Sequence, residues 1–282
     1  MFRFWSNNIL IHFASIAVIS AILQSCNSKP AEDVVSTKFE SIESFTKIDV
    51  DTTTTLFASY LKPDCHLQLN FEIPNKGTSS KTLEATKKMI IALTQDGAYS
   101  DKDNDINDMV KQYTKSYIMN YLEEGNDAIS NYGDNIEDAA NWMSYEETCS
   151  GNVLYNSNGF FSYSVKLYSY TGGAHGNSNN RVATLDLNKR KVLSLETLFE
   201  SEKFDDLQKE VVDRISKDYQ LLSDEIYLTD NFYLSDKGVS FIYNPFEIAA
   251  YSEGEIEVTI PWSDIIPLLS ANNPILSNPI IN

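Results

Sequence analysis

The sequence predicts an α+β fold: a mostly antiparallel sheet with packed helices, in two closely associated subdomains. Three observations carry the prediction. Apolar residues alternate with period two in separate segments, at Cys65, Leu67, Leu69, Phe71 and Ile73 and again at Phe161, Tyr163, Val165 and Leu167, as in strands with one buried face. Between them the spacing changes to three and four, at Leu83, Met89, Ile90 and Leu93 and at Ile106, Val110, Tyr113, Tyr117 and Tyr121, as in amphipathic helices. The 16 Tyr and 14 Phe far outnumber the 3 Trp, a ring content that suits half-buried pleated surfaces.

The chain opens with a leader, residues 1–25. Arg3 precedes a nearly uninterrupted apolar run from Ile9 to Leu23, which is about the length of a signal-peptide core and shorter than a bilayer span. Leu23-Gln24-Ser25-Cys26 has the form a lipoprotein signal peptidase reads, so Cys26 is the expected lipidated first residue. The lipid would tether the protein to a membrane without spanning it. Asn27 is not the Asp that retains some lipoproteins at the inner membrane, which makes the expected location the bacterial cell envelope at the outer membrane. Residues 26–37, polar with Pro30, Glu32 and Asp33, read as a tether.

With 40 acidic and 22 basic residues the formal net charge is −18. That balance repels nucleic acid and anionic surfaces and leaves cationic partners open. Beyond Cys26, Cys65 and Cys149 remain, a pair compatible with one disulfide or with two buried thiols in an exported chain.

The first strand ends at Pro74-Asn75-Lys76-Gly77, and His66 falls on its polar face. Asp101, Asp103 and Asp105 precede the second helix, where its dipole favours acids. The run "DKDNDIND" lacks the Gly and the bidentate Glu of a calcium loop, so capping explains it. A third helical piece runs through Ile136, Ala139, Ala140 and Met143. Strands return after Gly151. The ring positions change face between Leu167 and Tyr168, which suggests a bulge. "YTGGAHGN" then stops the strand at Gly172 and Gly173, where positive φ is expected. Val182, Leu185 and Leu187 belong to the returning strand, and Asn188-Lys189-Arg190-Lys191 reads as a hairpin turn. Ser194 caps a short helix, and Phe204, Leu207, Val211 and Ile215 mark a longer one. Phe232 and Leu234 face Val239, Phe241 and Tyr243 across a turn at Asp236-Lys237-Gly238. Ile256, Val258 and Ile260 form the last strand, before a helix near Trp262.

The stretch "YSYTGGAHGNSNNRVATLDLNKRKVLSLETLF", followed by "NFYLSDKGVSFIYNPFEIAAYSEGEIEVTIPWSDI", resembles a family of extracytoplasmic domains of unknown function. The family is shared with the outer domain of the lysozyme-sensing anti-sigma factor RsiV and an accessory region of the peptidoglycan deacetylase PdaC. The resemblance implies a C-terminal RsiV-like domain over 150–270, a smaller PdaC/RsiV-like domain over 38–149, and a tail at 271–282. It favours sensing and accessory roles. With only the signal peptide ahead of Cys26 and two histidines, His66 and His175, after it, neither sigma-factor binding nor deacetylation is expected to carry over.

No G-x-S-x-G, C-x-x-C, H-E-x-x-H or phosphate loop occurs, so no catalytic residue, metal or cofactor is assigned. The candidate ligand-binding residues are His175, Tyr168, Tyr170 and Glu247. His175 is a general base, a ligand donor, or a side chain bonding its own loop. The tyrosines stack on a sugar or cover a sheet. Three classes stay open: a non-catalytic envelope module binding cell-wall glycan or a cationic protein such as lysozyme, a hydrolase using His175 and a carboxylate, and a structural lipoprotein. The first is preferred, because no catalytic motif is present.

Overall fold

The computed structural model describes residues 39–56, 63–94, 105–132, 142–223 and 226–276. The leader, Cys26 and the tether lie outside these residues. So do Asp101, Asp103, the helical piece at Ile136, Ala139 and Ala140, and the end of the tail. Residues from Lys38 onward form one compact unit.

The fold is α+β. Strands β1 (Ile42–Thr55) and β2 (Asp64–Gly77) lead into helices α1 (Ser80–Thr94) and α2 (Ile106–Tyr132). Strands β3 (Tyr145–Ser157), β4 (Phe160–Tyr170), β5 (Asn177–Asp186) and the two-residue β6 (Lys191–Val192) complete a six-stranded sheet in sequence order. Among the described residues only β2 and β3 run parallel, because the two helices make the crossover between them. Short α3 (Leu195–Leu198) and amphipathic α4 (Phe204–Ile215) follow. Then come β7 (Phe232–Leu234), β8 (Gly238–Tyr243) and β9 (Ile256–Pro261) of a three-stranded antiparallel sheet, and α5 (Trp262–Ile265).

Strand alternation divides the apolar residues between two cores. On β4, Phe161, Tyr163 and Val165 point to α1 and α2, where they join Leu67, Leu69, Phe71, Ile90 and Met109. Phe160, one residue away on the opposite face, joins Leu207, Val211, Phe241 and Trp262 around α4 and the small sheet. The change of core comes near residue 188, since Leu187 lies in the first core and Leu193 in the second. The expected division at 149/150 falls inside β3. Gly151, read as a break, is a packing glycine: a Cβ there would lie 2.3 Å from the Tyr163 hydroxyl and 2.4 Å from the Phe71 ring.

Three further expectations are corrected. The strand expected to end at Pro74, β2, continues to Gly77, with Phe45 of β1 opposite Pro74. Its pairing with β3 ends at Phe71, so on that side the missing proline N–H deprives no strand of a bond. The bulge expected at Leu167/Tyr168 is absent: β4 and β5 pair without a shift as far as Ser169 and Asn177, and the irregularity lies in β3 between Val153 and Tyr155. Finally, Cys65 and Cys149 are free and buried. Cys65 sits opposite Tyr145 and Cys149 opposite Leu69. Four residues of stagger along parallel strands is about 13 Å, well beyond the roughly 7 Å that a disulfide spans. Burial pushes the Cys149 thiol up to about 12, which leaves it protonated and inert.

The small sheet meets the large one through polar side chains. Between Asn180 and Val182 the outer edge of β5 has no neighbouring strand, since β6 pairs only with Leu185 and Asp186. Two asparagine amides take a strand's place. Asn180 donates its N–H to Asn244 Oδ1 at 2.6 Å, and Val182 donates its N–H to Asn231 Oδ1 at 2.8 Å. The Asn180 carbonyl accepts from Asn231 Nδ2 at 2.7 Å and from Asn244 Nδ2 at 3.3 Å. In return, Thr184 Oγ1 accepts the Leu234 N–H at 2.9 Å, and Ser162 Oγ donates to the Leu234 carbonyl at 2.7 Å. Ser162, Asn180, Thr184 and Asn244 are all buried, so each bond lost exposes no group to water and leaves an orphan.

Thr184→Val keeps the shape and removes the acceptor for Leu234 and the partner of Ser162. Urea denaturation is expected to show a loss of about 1–3 kcal/mol; a neutral result would mean that the seam contributes no net stability.

Candidate functional site

Two loops meet at the end of β4 and β5. The first joins these strands and contains Gly172 and Gly173, at φ 85° and 103°, the left-handed geometry expected from the sequence. Gly176 is required for another reason, because a Cβ there would lie 2.5 Å from the Tyr168 ring. The second loop, from Asn244 to Glu255, leaves β8. Its root is anchored by the Asn180–Asn244 bond, which lies three residues beyond the end of the first loop at Asn177.

Rings from both loops form a row. His175 packs against Tyr251 with centroids 4.5 Å apart and the rings tilted by 31°, and Phe246 packs against the same tyrosine at 5.0 Å with the same tilt. The Tyr251 hydroxyl donates to the Gly176 carbonyl at 2.6 Å, and His175 Nδ1 lies 3.0 Å from the same oxygen. Tyr251 therefore clamps the glycine loop, while His175 and Phe246 form the ends of the row.

Phe246 is the unusual member. It has φ 70° and is 59% exposed. A bulky residue in that region costs on the order of 1–2 kcal/mol, and its apolar ring gains little from burial there. Such strain concentrates at sites of recognition. Glu247 supports the turn that imposes it, since its Oε2 accepts the Asn244 N–H at 3.0 Å. The exposed side chains of Tyr227 and Leu222 belong to the same neighbourhood. Tyr243 donates its hydroxyl to the Tyr227 carbonyl, and Leu222 donates its N–H to the Ile248 carbonyl.

The four expected residues have different fates. His175 joins the row. Tyr168 packs beneath Gly176, and Tyr170 donates its hydroxyl to Gly173 O at 2.9 Å, so both tyrosines brace the loop. Glu247 turns back on Asn244. Sequence reading missed Tyr251, and placed Phe246 in the right loop without a role. The spacing Phe246-x4-Tyr251 in a loop otherwise lacking rings was the available signal. His66 lies elsewhere, beside Asp51 at 2.9 Å on the open face of β1 and β2.

Beneath α2, away from the loops, the buried Glu147 accepts the Tyr113 hydroxyl. Burial raises its carboxyl above the ordinary carboxylate value, and the tyrosine bond offsets this only in part. The same burial, with the carboxylate beside it, pushes the Tyr113 phenol up.

Comparison with known proteins agrees with this layout. Residues 189–263 match the family described as protein of unknown function (DUF3298), and residues 83–178 match the family described as deacetylase PdaC. The gap between the matches contains the change of core near residue 188. A crystal structure of a DUF3298 family member from Bacteroides fragilis is 26% identical, with 85% of this chain and 98% of that chain covered and a TM-score of 0.75. A DUF3298 family protein from Pseudomonas aeruginosa is 14% identical, with 82% and 97% covered and a TM-score of 0.51; that likeness is of fold alone. No curated protein matches the chain.

Two outcomes are expected. Tyr251→Phe removes the clamp on Gly176 and is expected to cost about 0.5–1.5 kcal/mol by chemical denaturation. An acid whose folded pKa is raised holds its proton longer in the folded state, so its contribution to stability falls as pH rises above the unfolded value. Glu147→Gln should therefore flatten the decline in stability between pH 4 and 7 and make the protein more stable than the parent at pH 7, measured by melting across that range.

Proposed function

As a chain that joins a PdaC-type region to a DUF3298 domain, we propose that the protein is a non-catalytic binding module of the bacterial envelope, tethered by a lipid on Cys26. Its partner at the loop pair is a cationic protein such as lysozyme. The observation that carries this reading is Phe246, strained, 59% exposed and packed against Tyr251 at the end of a ring row. Exposed aromatics backed by rigid neighbours are the usual anchors of protein interfaces. The net charge of −18 favours a basic partner and speeds its approach. Glu247 beside Phe246 adds a carboxylate next to a ring face, a combination that suits a Lys or Arg side chain. Hydrolysis has less support. His175 is engaged with Tyr251 and Gly176, and Glu247 with Asn244, so the pair does not form an acid–base couple.

Residues 27–282 contain the whole compact unit and suffice for the test. They are expected to bind lysozyme with an affinity that falls as salt rises, and Phe246→Ala should weaken binding at least tenfold while leaving the melting temperature near that of the parent. Equal affinity in Phe246→Ala would refute this surface. In the full chain, Cys26→Ser should abolish lipid labelling and release the protein from outer membranes; labelling that persists would refute the anchor.

A further inference from the structure

The start of the glycine loop borders a cleft. It measures about 330 Å³ and is lined by Glu124 and Ala128 of α2, by Trp142, Met143 and Tyr145, and by Thr171, Gly172 and Gly173. That volume falls at the small end of ligand sites, about 300–1,000 Å³.

Its walls are fixed in place. The Tyr121 hydroxyl donates to the Met143 carbonyl at 2.9 Å, and the Tyr121 and Tyr145 rings lie 5.2 Å apart. Gly172 rests against the Trp142 backbone, so closely that a Cβ would lie 2.4 Å from the Trp142 carbonyl oxygen. The Tyr145 hydroxyl donates to Glu124 Oε2 at 3.0 Å. Against these braced parts the Trp142 side chain is 62% exposed, unusual for the residue with the most apolar area to hide.

We propose that this cleft is a saccharide site that takes one neutral pyranose of a cell-wall glycan, with Trp142 under the sugar ring. The chemistry of the lining selects the ligand. A pyranose has an apolar C–H face and a rim of hydroxyls. The indole offers a flat apolar surface to the first. Glu124 Oε1, the Tyr145 hydroxyl and the peptide groups of Gly172 and Gly173 offer acceptors and donors to the second. The Glu124 carboxylate and the acidic chain disfavour phosphate and other anions. The proposal rests on the envelope-binding reading for the choice of glycan, but it uses none of the residues of the protein-binding surface. The glycine loop thus has a protein-binding face at His175 and a sugar-binding face at Gly172.

Intrinsic fluorescence tests it directly. In residues 27–282 the tryptophans are Trp142 and Trp262, and Trp262 is buried with its Nε1 donating to the Ser235 carbonyl. Titration with the soluble tetramer of N-acetylglucosamine should give a saturable blue shift from Trp142. By calorimetry, Trp142→Ala should weaken the tetramer at least tenfold and Glu124→Gln about fivefold, while both variants melt like the parent. Phe246→Ala should bind the tetramer unchanged, whatever its effect on lysozyme. Absence of saturation at millimolar tetramer, equal affinity in Trp142→Ala, or loss of tetramer binding in Phe246→Ala would each overturn the assignment.

Discussion

Two asparagine side chains, Asn231 and Asn244, complete the edge of β5, and the arrangement of both loops depends on them. A side-chain amide has the same donor and acceptor as a peptide group, so it can satisfy a strand edge without a strand. These two lie at the same end of the small sheet, one before β7 and one after β8. They reach the N–H and C=O of Asn180 and the N–H of Val182. Each bond has a net value of about 0.5–1.5 kcal/mol, but leaving one of these buried groups without a partner costs more. The seam therefore acts through what happens if it slips: apolar cores tolerate small displacements, whereas a seam of directional bonds holds one register.

That register has a consequence at the surface. The glycine loop ends three residues before Asn180, and the second loop begins at Asn244. Fixing these two residues brings His175 over Tyr251 and places the Tyr251 hydroxyl on Gly176. The row of rings and the strained Phe246 are products of the same constraint. Glu247 reinforces it by accepting the Asn244 N–H, so a residue expected to bind ligand serves to hold the root of its loop. At Gly172 the same loop closes against the Trp142 backbone. A loop free of side chains at three positions can be pressed between two surfaces in this way.

Much of the fold was legible because it follows from local periodicity. The alternation of β2 and β4, the two long helices, α4 and the small sheet all came from apolar spacing, and the positive φ values at Gly172 and Gly173 from residue type. What failed depends on partners distant in sequence. Gly151 looked like a boundary because a glycine that makes room for Tyr163 is indistinguishable, in sequence, from one that makes a turn. Pro74 looked like a stop because the end of β3 pairing was not visible. Cys65 and Cys149 looked like a pair because their separation along two parallel strands is a matter of register. The β1 segment, with "TTTT" at its end and partly exposed on both faces, lacks the apolar contrast that marks its neighbours. The site was legible in part. His175 and the loop of Phe246 and Glu247 were found, while Tyr251 was missed, since its value comes from ring contacts between two loops. Asn231 and Asn244 carry no sequence signal that distinguishes them from ordinary turn asparagines.

The claim that the amide seam sets the geometry of the loops can be tested at one ring. In the folded protein His175 lies 4.5 Å from Tyr251, close enough for its imidazole protons to be shifted upfield in the proton NMR spectrum. Asn244→Ala removes one amide of the seam and changes none of the ring-bearing residues. With the methyl signals of the α1–α2 core still native, the account predicts that the His175 protons move to the position of a free histidine. A His175 shift that stays at the parent value would contradict it.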